Sequence, residues 1–213
     1  MVKFEKVKQN KDIVLIGYSG HSFVVLEIFK AMGMNVTSYC DIIEKDYNPY
    51  MLSYLGSEND ASVIERLKDS YYFIAIGNNE LREHNYNKLV DMALSINAIH
   101  PSSIISETVE TGNGIMVGAG VIINALSVIG NNVILNTGCV IEHECKIADH
   151  VHIAPGAILC GNISVGKKTF VGANAVIKQG VKIGENVIIG AGSVITKDIA
   201  DSCKIVGNPQ RQL

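Results

Sequence analysis

Every sixth residue from Val117 to Ile195 is aliphatic, without a gap: Val117, Ile123, Ile129, Leu135, Ile141, Ile147 and so on through Ile189 and Ile195. Two places earlier in each hexad runs a second series of small or aliphatic residues, among them Ser127, Val133, Cys139, Cys145, Val151 and Ala157. A helix stripe recurs at about 3.6 residues and a strand face at about two, so neither explains a period of six sustained over this length. The period is that of a parallel β-helix, in which each hexad supplies one short strand and one corner and three hexads close a triangular coil. Residues eighteen apart therefore stack. Glycine often follows the aliphatic residue, as at Gly118, Gly130, Gly166, Gly172, Gly184 and Gly190, which predicts corners needing positive φ or close backbone approach. About five coils fit between Val109 and Ile199, and their open ends need caps, because an uncapped stack exposes apolar core.

The repeat occupies residues 101–199, leaving room before it for a second domain at residues 12–100. Residues 1–11 read as an exposed lead-in and residues 200–213 as a C-terminal cap. In the first domain, residues 12–17 (Asp-Ile-Val-Leu-Ile-Gly) form a buried strand, residues 18–22 a tight turn, and Phe23 to Met32 a helix ending at Gly33. Strand, glycine turn and helix open a nucleotide-binding βαβ unit, in which backbone amides at the helix start favour phosphate. Residues 35–41 form a second strand ending in Asp41, and residues 71–76 a third that runs into Gly77, Asn78 and a helix from about Glu80 to Met92. The two turns and Asp41 converge on the carboxyl edge of the sheet, where ligands bind in open α/β folds. Residues 95–99 would be the last strand, handing over at His100-Pro101, since proline holds its predecessor extended.

A net charge of −3 offers no polyanion footprint, which argues against a nucleic-acid partner. The sequence contains no apolar run of membrane-spanning length. Five cysteines without framework spacing point to reduced thiols and a cytoplasmic setting.

The hexads resemble those of the hexapeptide acyltransferases, whose β-helix is left-handed. With its first domain the chain is similar to the PglD/NeuD-type sugar O- and N-acyltransferases. The matching motifs are Gly17, Ser19, Gly20 and His21 after the first strand, Asp41 after the second, Ile76, Gly77, Asn78, Asn79 and Arg82 after the third, and His100-Pro101 at the junction. Ser19 stands where the family usually has glycine. The resemblance implies a Rossmann-like nucleotide-sugar domain followed by a left-handed β-helix, acetyl-CoA as co-substrate with no metal, a homotrimer, and sites in the clefts between subunits. It also implies substrate contacts from Gly17, Ser19, Gly20, His21, Asp41, Gly77, Asn78, Arg82, Asn136 and His152, and cofactor contacts from Gly161, Asn162, Gly172, Gly190 and Pro209.

The repeat loses its monotony at residues 142–144, Glu-His-Glu. Ile141 points inward, so these three residues occupy a corner, where core packing does not explain a histidine. Acetyl transfer needs a base for the nucleophile and a donor for the tetrahedral oxyanion. Histidine suits the first role, and a neighbouring carboxylate fixes its tautomer. Residue types leave Glu142 and Glu144 both open; the resemblance selects His143 as base and Glu144 as its orienting acid. One coil further, it implies that the Gly161 amide contacts the acetyl carbonyl. His152 lies half a coil from His143, so the two should meet only across a subunit interface, and His150 reads as solvated surface. Direct attack by the acceptor amine is expected, with an acyl-enzyme on Cys145 or Cys160 as the competing route.

The acceptor implied is a UDP-linked 4-amino-4,6-dideoxy sugar, acetylated at the C4 amine. The alternatives are a sialic acid O-acetyltransferase, an N-acetyltransferase for a sugar such as GDP-perosamine, and a non-catalytic nucleotide-sugar-binding trimer. A γ-type carbonic anhydrase needs one distant histidine followed by a close pair, whereas His143, His150 and His152 crowd together.

Overall fold

The computed structural model describes residues 11–213, so all but Lys11 of the expected lead-in lies outside the described residues. The first domain is a five-stranded parallel sheet with three helices: β1 (Ile13–Ile16), α1 (Gly20–Ala31), β2 (Val36–Cys40), β3 (Ser53–Tyr54), α2 (Ala61–Leu67), β4 (Tyr71–Ile74), α3 (Asn79–Leu89) and β5 (Leu94–Ser95). The strand order β3-β2-β1-β4-β5 puts the start of the chain at the centre and makes β1/β4 the switch point. β1 is an unbroken apolar run buried on both faces, as a central parallel strand must be.

The rest of the chain is a left-handed β-helix. Its strands, all of two residues except Lys204–Val206, form three faces: a first of eight strands, a second of six and a third of five. Up to Ile195, partners are eighteen residues apart, as in Ile134 against His152 and His152 against Phe170. Both inward series of the hexads form one continuous core.

The stack is longer than the aliphatic series suggests. Ala98–Ile99 does not close the small sheet but pairs with Met116–Val117, so the solenoid begins ahead of His100. At the other end Lys204–Val206 pairs with Ile188–Ile189 before an antiparallel strand, Arg211–Gln212, closes the stack. Thr111 occupies an aliphatic position in the early coils, which hides them from a search for aliphatics.

The corner glycines serve close approach rather than positive φ. A Cβ at Gly166 would stand 2.5 Å from the Gly184 carbonyl carbon of the next coil. Positive φ falls two places later, at Gly120, Asn132, Lys168, Asn174, Asn186 and Gly192. Glycine and asparagine predominate there because they enter the left-handed region at least cost.

The first domain lies on the first face: Met116 and Ile134 are buried in the same cluster as β1 and α1. Among the described residues, no helix is long and apolar enough to cross a membrane.

Candidate active site

The three edges of the prism sort the expected site residues. Asn136, Gly172 and Gly190 stack on the edge between the first and second faces. His143, Gly161 and Lys197 stack on the edge between the second and third. His150 lies on the remaining edge, and His152 within the first face. In one chain, then, His143 and Gly161 stand apart from Asn136, His152, Gly172 and Gly190.

His143 and Glu144 form a pair, with Nδ1 3.0 Å from Oε2. The two side chains are about half exposed. Alternation along an extended chain would turn these neighbours apart, but Glu144 has φ +60° and the reversal brings its carboxylate back to the ring. The imidazole lies over Gly161, where a Cβ would stand 2.5 Å from Nε2 and 3.0 Å from Nδ1. Asn162 N–H donates to the His143 carbonyl at 2.8 Å, which fixes the spacing of the two coils there. Among the described residues the Gly161 N–H has no acceptor. The same edge runs three coils on to Lys197, on the order of 14 Å at the usual strand spacing. There a cavity opens, lined by Lys197, Ile199, Cys203, Pro209, Gln210 and Arg211. Lys197 and Arg211 bring two cations to this cavity, with the Asp198 carboxylate also in its lining.

Cys145 is fully buried, its thiol donating to the Cys160 carbonyl at 3.3 Å. Burial pushes that thiol up, away from the thiolate an acyl-enzyme needs.

The crevice of the first domain is built on the turns after β1, β2 and β4. Gly17 has φ +89°, and a Cβ there would meet Ile76 Cγ1 at 2.6 Å, so glycine is required. Ser19 is extended, at φ −149° and ψ −169°, a conformation open to any residue, so its replacement of the family's glycine carries no strain. Gly20 opens α1 with no atom near the position of a Cβ, and the first turn of α1 has no acidic residue. That leaves the amides of Gly20 and His21 for an anion, the Ser22 N–H being taken by the Ser19 carbonyl at 2.9 Å. Asp41 Oδ2 accepts from Tyr18 N–H at 2.9 Å, and Oδ1 lies 3.0 Å from Lys45 Nζ. The carboxylate thus ties the first turn to the second. Asn78 caps α3 by accepting from Leu81 N–H at 3.0 Å.

Facing these turns from the first face of the solenoid is His152, buried, with Nδ1 3.4 Å from the Gly77 carbonyl and Nε2 3.3 Å from Asn136 Nδ2. Its ring is 6.2 Å from that of His21, whose Nε2 is buried without a partner among the described residues. Burial lowers both imidazoles, His21 to about 4 and His152 to about 3. His21, Gly77, Asn136 and His152 therefore make a polar, uncharged wall where the domains of one chain meet, and His152 needs no second subunit to reach the crevice.

Two expectations are corrected. His150 is not solvated surface: it is 5% exposed, with Nδ1 2.9 Å from Asn132 Nδ2 and its ring against Tyr86. Asn132 lies eighteen residues earlier, so the stacking rule alone would have placed them together. Arg82 does not face the crevice; it is 1% exposed, under the Gly77 turn, with its donors taken by protein oxygens. Sequence reasoning also passed over Tyr18 and Asn48, whose 2.7 Å hydrogen bond braces the loop beside Asp41.

Comparison with known proteins follows the same division. The PglD N-terminal domain model matches residues 12–89, and the bacterial transferase hexapeptide model matches residues 126–161 and 162–197. Among solved structures, a histidine-to-asparagine variant of perosamine N-acetyltransferase from Caulobacter crescentus, in complex with CoA and GDP-perosamine, is 36% identical with a TM-score of 0.89, over 96% of this chain and 97% of that one. The acetyltransferase domain of PglB from Neisseria gonorrhoeae, in complex with acetyl coenzyme A, is 30% identical with a TM-score of 0.89, over 96% and 100%. WeeI from Acinetobacter baumannii is 27% identical with a TM-score of 0.84, over 95% and 100%.

Proposed function

The chain belongs to the family of sugar N-acetyltransferases that join a PglD-type domain to hexapeptide repeats and use acetyl-CoA, and from that premise we propose that it acetylates the 4-amino group of a nucleotide-linked 4-amino-4,6-dideoxy sugar. The observation that carries this reading is the His143–Glu144 pair, solvent-accessible on a corner and seated over Gly161. His143 is the general base, taking a proton from the acceptor amine as it attacks the thioester carbonyl. Glu144 holds the His143 Nδ1 proton, leaving Nε2 as the basic atom. The Gly161 N–H donates to the oxyanion, and the thiolate of CoA leaves as the tetrahedral intermediate collapses. The sugar nucleotide lies in the crevice, with its diphosphate at the start of α1 and its sugar toward His21, Asn136 and His152.

Because one chain holds the base and the crevice on different edges, the working unit is a homotrimer. The second face supports this reading: Ile104, Ile122, Val140, Ile158, Val176 and Val194 form an aliphatic column on its outer side, while the outer column of the third face carries Glu110, Lys146 and Lys182. Packing the aliphatic column around a threefold axis sets the His143 edge of one copy beside the Asn136, Gly172 and Gly190 edge of the next.

UDP is the nucleotide expected from the crevice motifs. A GDP-linked sugar is the second reading, favoured by the 36% identity to the perosamine enzyme. The test is thiol release from acetyl-CoA with UDP-4-amino-4,6-dideoxy-N-acetylglucosamine, GDP-perosamine, free sialic acid or serine, with products weighed by mass spectrometry. Release with one nucleotide amino sugar and a product heavier by one acetyl group fixes the reaction and the acceptor. Sugar binding without release would leave a binding module instead.

A further inference from the structure

Arg82 is a buried cation without a carboxylate. Its guanidinium has five N–H donors in a rigid plane, and all five are spent on protein oxygens. Nε donates to the Asn132 carbonyl at 3.1 Å. One terminal nitrogen donates to the carbonyls of Ile76 at 3.3 Å and Gly77 at 3.1 Å. The other reaches Asn79 Oδ1 at 2.8 Å and the carbonyls of His150 at 2.6 Å and Val151 at 3.5 Å. Burying a charge without a counter-ion is expensive, and here desolvation brings the guanidinium down to about 9. A neutral side chain of similar shape would fill the junction at lower cost, so the use of arginine lies in what its donors hold.

Gly77 is the informative acceptor. Its carbonyl takes a hydrogen bond from Arg82 and also faces His152 Nδ1 at 3.4 Å. A carbonyl oxygen only accepts, so the His152 proton sits on Nδ1. Nε2 is then an acceptor for the Asn136 amide, 3.3 Å away. Asn79, at the start of α3, ties the arrangement to the solenoid, donating to the Lys168 carbonyl at 2.8 Å while it accepts from Arg82.

We infer that Arg82 is a positioning residue that does not touch substrate: it fixes the Gly77 carbonyl, through it the Nδ1–H tautomer of His152, and so the shape of the wall against which the sugar nucleotide lies. The inference rests on the crevice holding that substrate, as proposed above.

Two measurements on the full chain test it. In Arg82→Met, KM for the nucleotide sugar should rise roughly ten-fold or more, with partial recovery in Arg82→Lys and no change in KM for acetyl-CoA. An arginine that only stabilised the fold would reduce the active fraction, lowering kcat with both KM values unchanged, and that result overturns the inference. The second measurement needs no folded variant of Arg82. Long-range proton–nitrogen spectra of wild-type protein labelled with 15N-histidine, with His152 identified by its loss in His152→Gln, should show the Nδ1–H tautomer. An Nε2–H tautomer overturns the inference whether or not a nucleotide sugar is turned over; failure of wild-type turnover with every sugar counts instead against the proposed function.

Discussion

Gly161→Ala separates catalysis from stability in this chain. A Cβ at position 161 would stand 2.5 Å from His143 Nε2, where ordinary contact begins at 3.4 Å, so the ring must retreat by about 1 Å. His143 is about half exposed and has room to swing outward, which makes the retreat inexpensive for the fold. Gly161 does not have positive φ, so alanine there is unstrained and the lost unfolded-chain entropy favours the variant by roughly 0.4–1 kcal/mol. Misplacing a catalytic group by about 1 Å costs on the order of a hundred-fold in rate. The expected outcome is therefore a kcat roughly a hundred-fold lower, by thiol release at saturating acetyl-CoA, with a melting temperature unchanged or slightly higher. Combining Gly161→Ala with His143→Gln should add little to the loss caused by His143→Gln alone, because both act on one group. Near wild-type kcat in Gly161→Ala, or full additivity in the pair, would refute the role given to His143.

His143→Gln itself should lower kcat by roughly two to four orders of magnitude while leaving nucleotide-sugar affinity unchanged, as measured by calorimetry. Glu144→Gln keeps the shape and removes the charge; kcat should fall by roughly ten-fold or more, with no measurable change in unfolding free energy, because the pair is exposed. Ile158→Glu places a charge in the aliphatic column of the second face and should reduce the sedimenting mass to that of a monomer and abolish turnover; an active monomer would rule out a site shared between copies. The buried pair His21 and His152 makes stability depend on pH. Both imidazoles are lowered in the fold, so the unfolded chain binds more protons, and stability present above pH 6.5 is lost as the pH falls toward 4. Each should contribute about 2 kcal/mol of loss between pH 7 and pH 5. Denaturant titrations should show that the unfolding free energy lost between pH 7 and pH 5 is larger in wild type than in the His21→Gln/His152→Gln double variant by about that sum, and equal losses would refute the burial argument.

What was legible in the sequence divides by the range of the interaction. The hexad writes its own three-dimensional register, since eighteen residues along the chain is one coil in space, and so His143 and Gly161 are neighbours on paper as they are in the fold. The same arithmetic pairs Asn132 with His150 and takes His150 off the surface. No period relates the two domains. The contacts from Arg82 to Asn132, His150 and Val151 span 50, 68 and 69 residues, and no local pattern in α3 distinguishes an arginine aimed at substrate from one aimed at the neighbouring coil. The outward register of His152 says only that it leaves the core, not that the first domain covers that face and buries it against Gly77. The Glu144 carboxylate shows the converse case. Alternation forbids it to share a side with His143, yet the corner position, two places after the close-approach residue, imposes a left-handed backbone and reverses it. At this corner, positive φ at Glu144 is what lets two adjacent residues act as a pair.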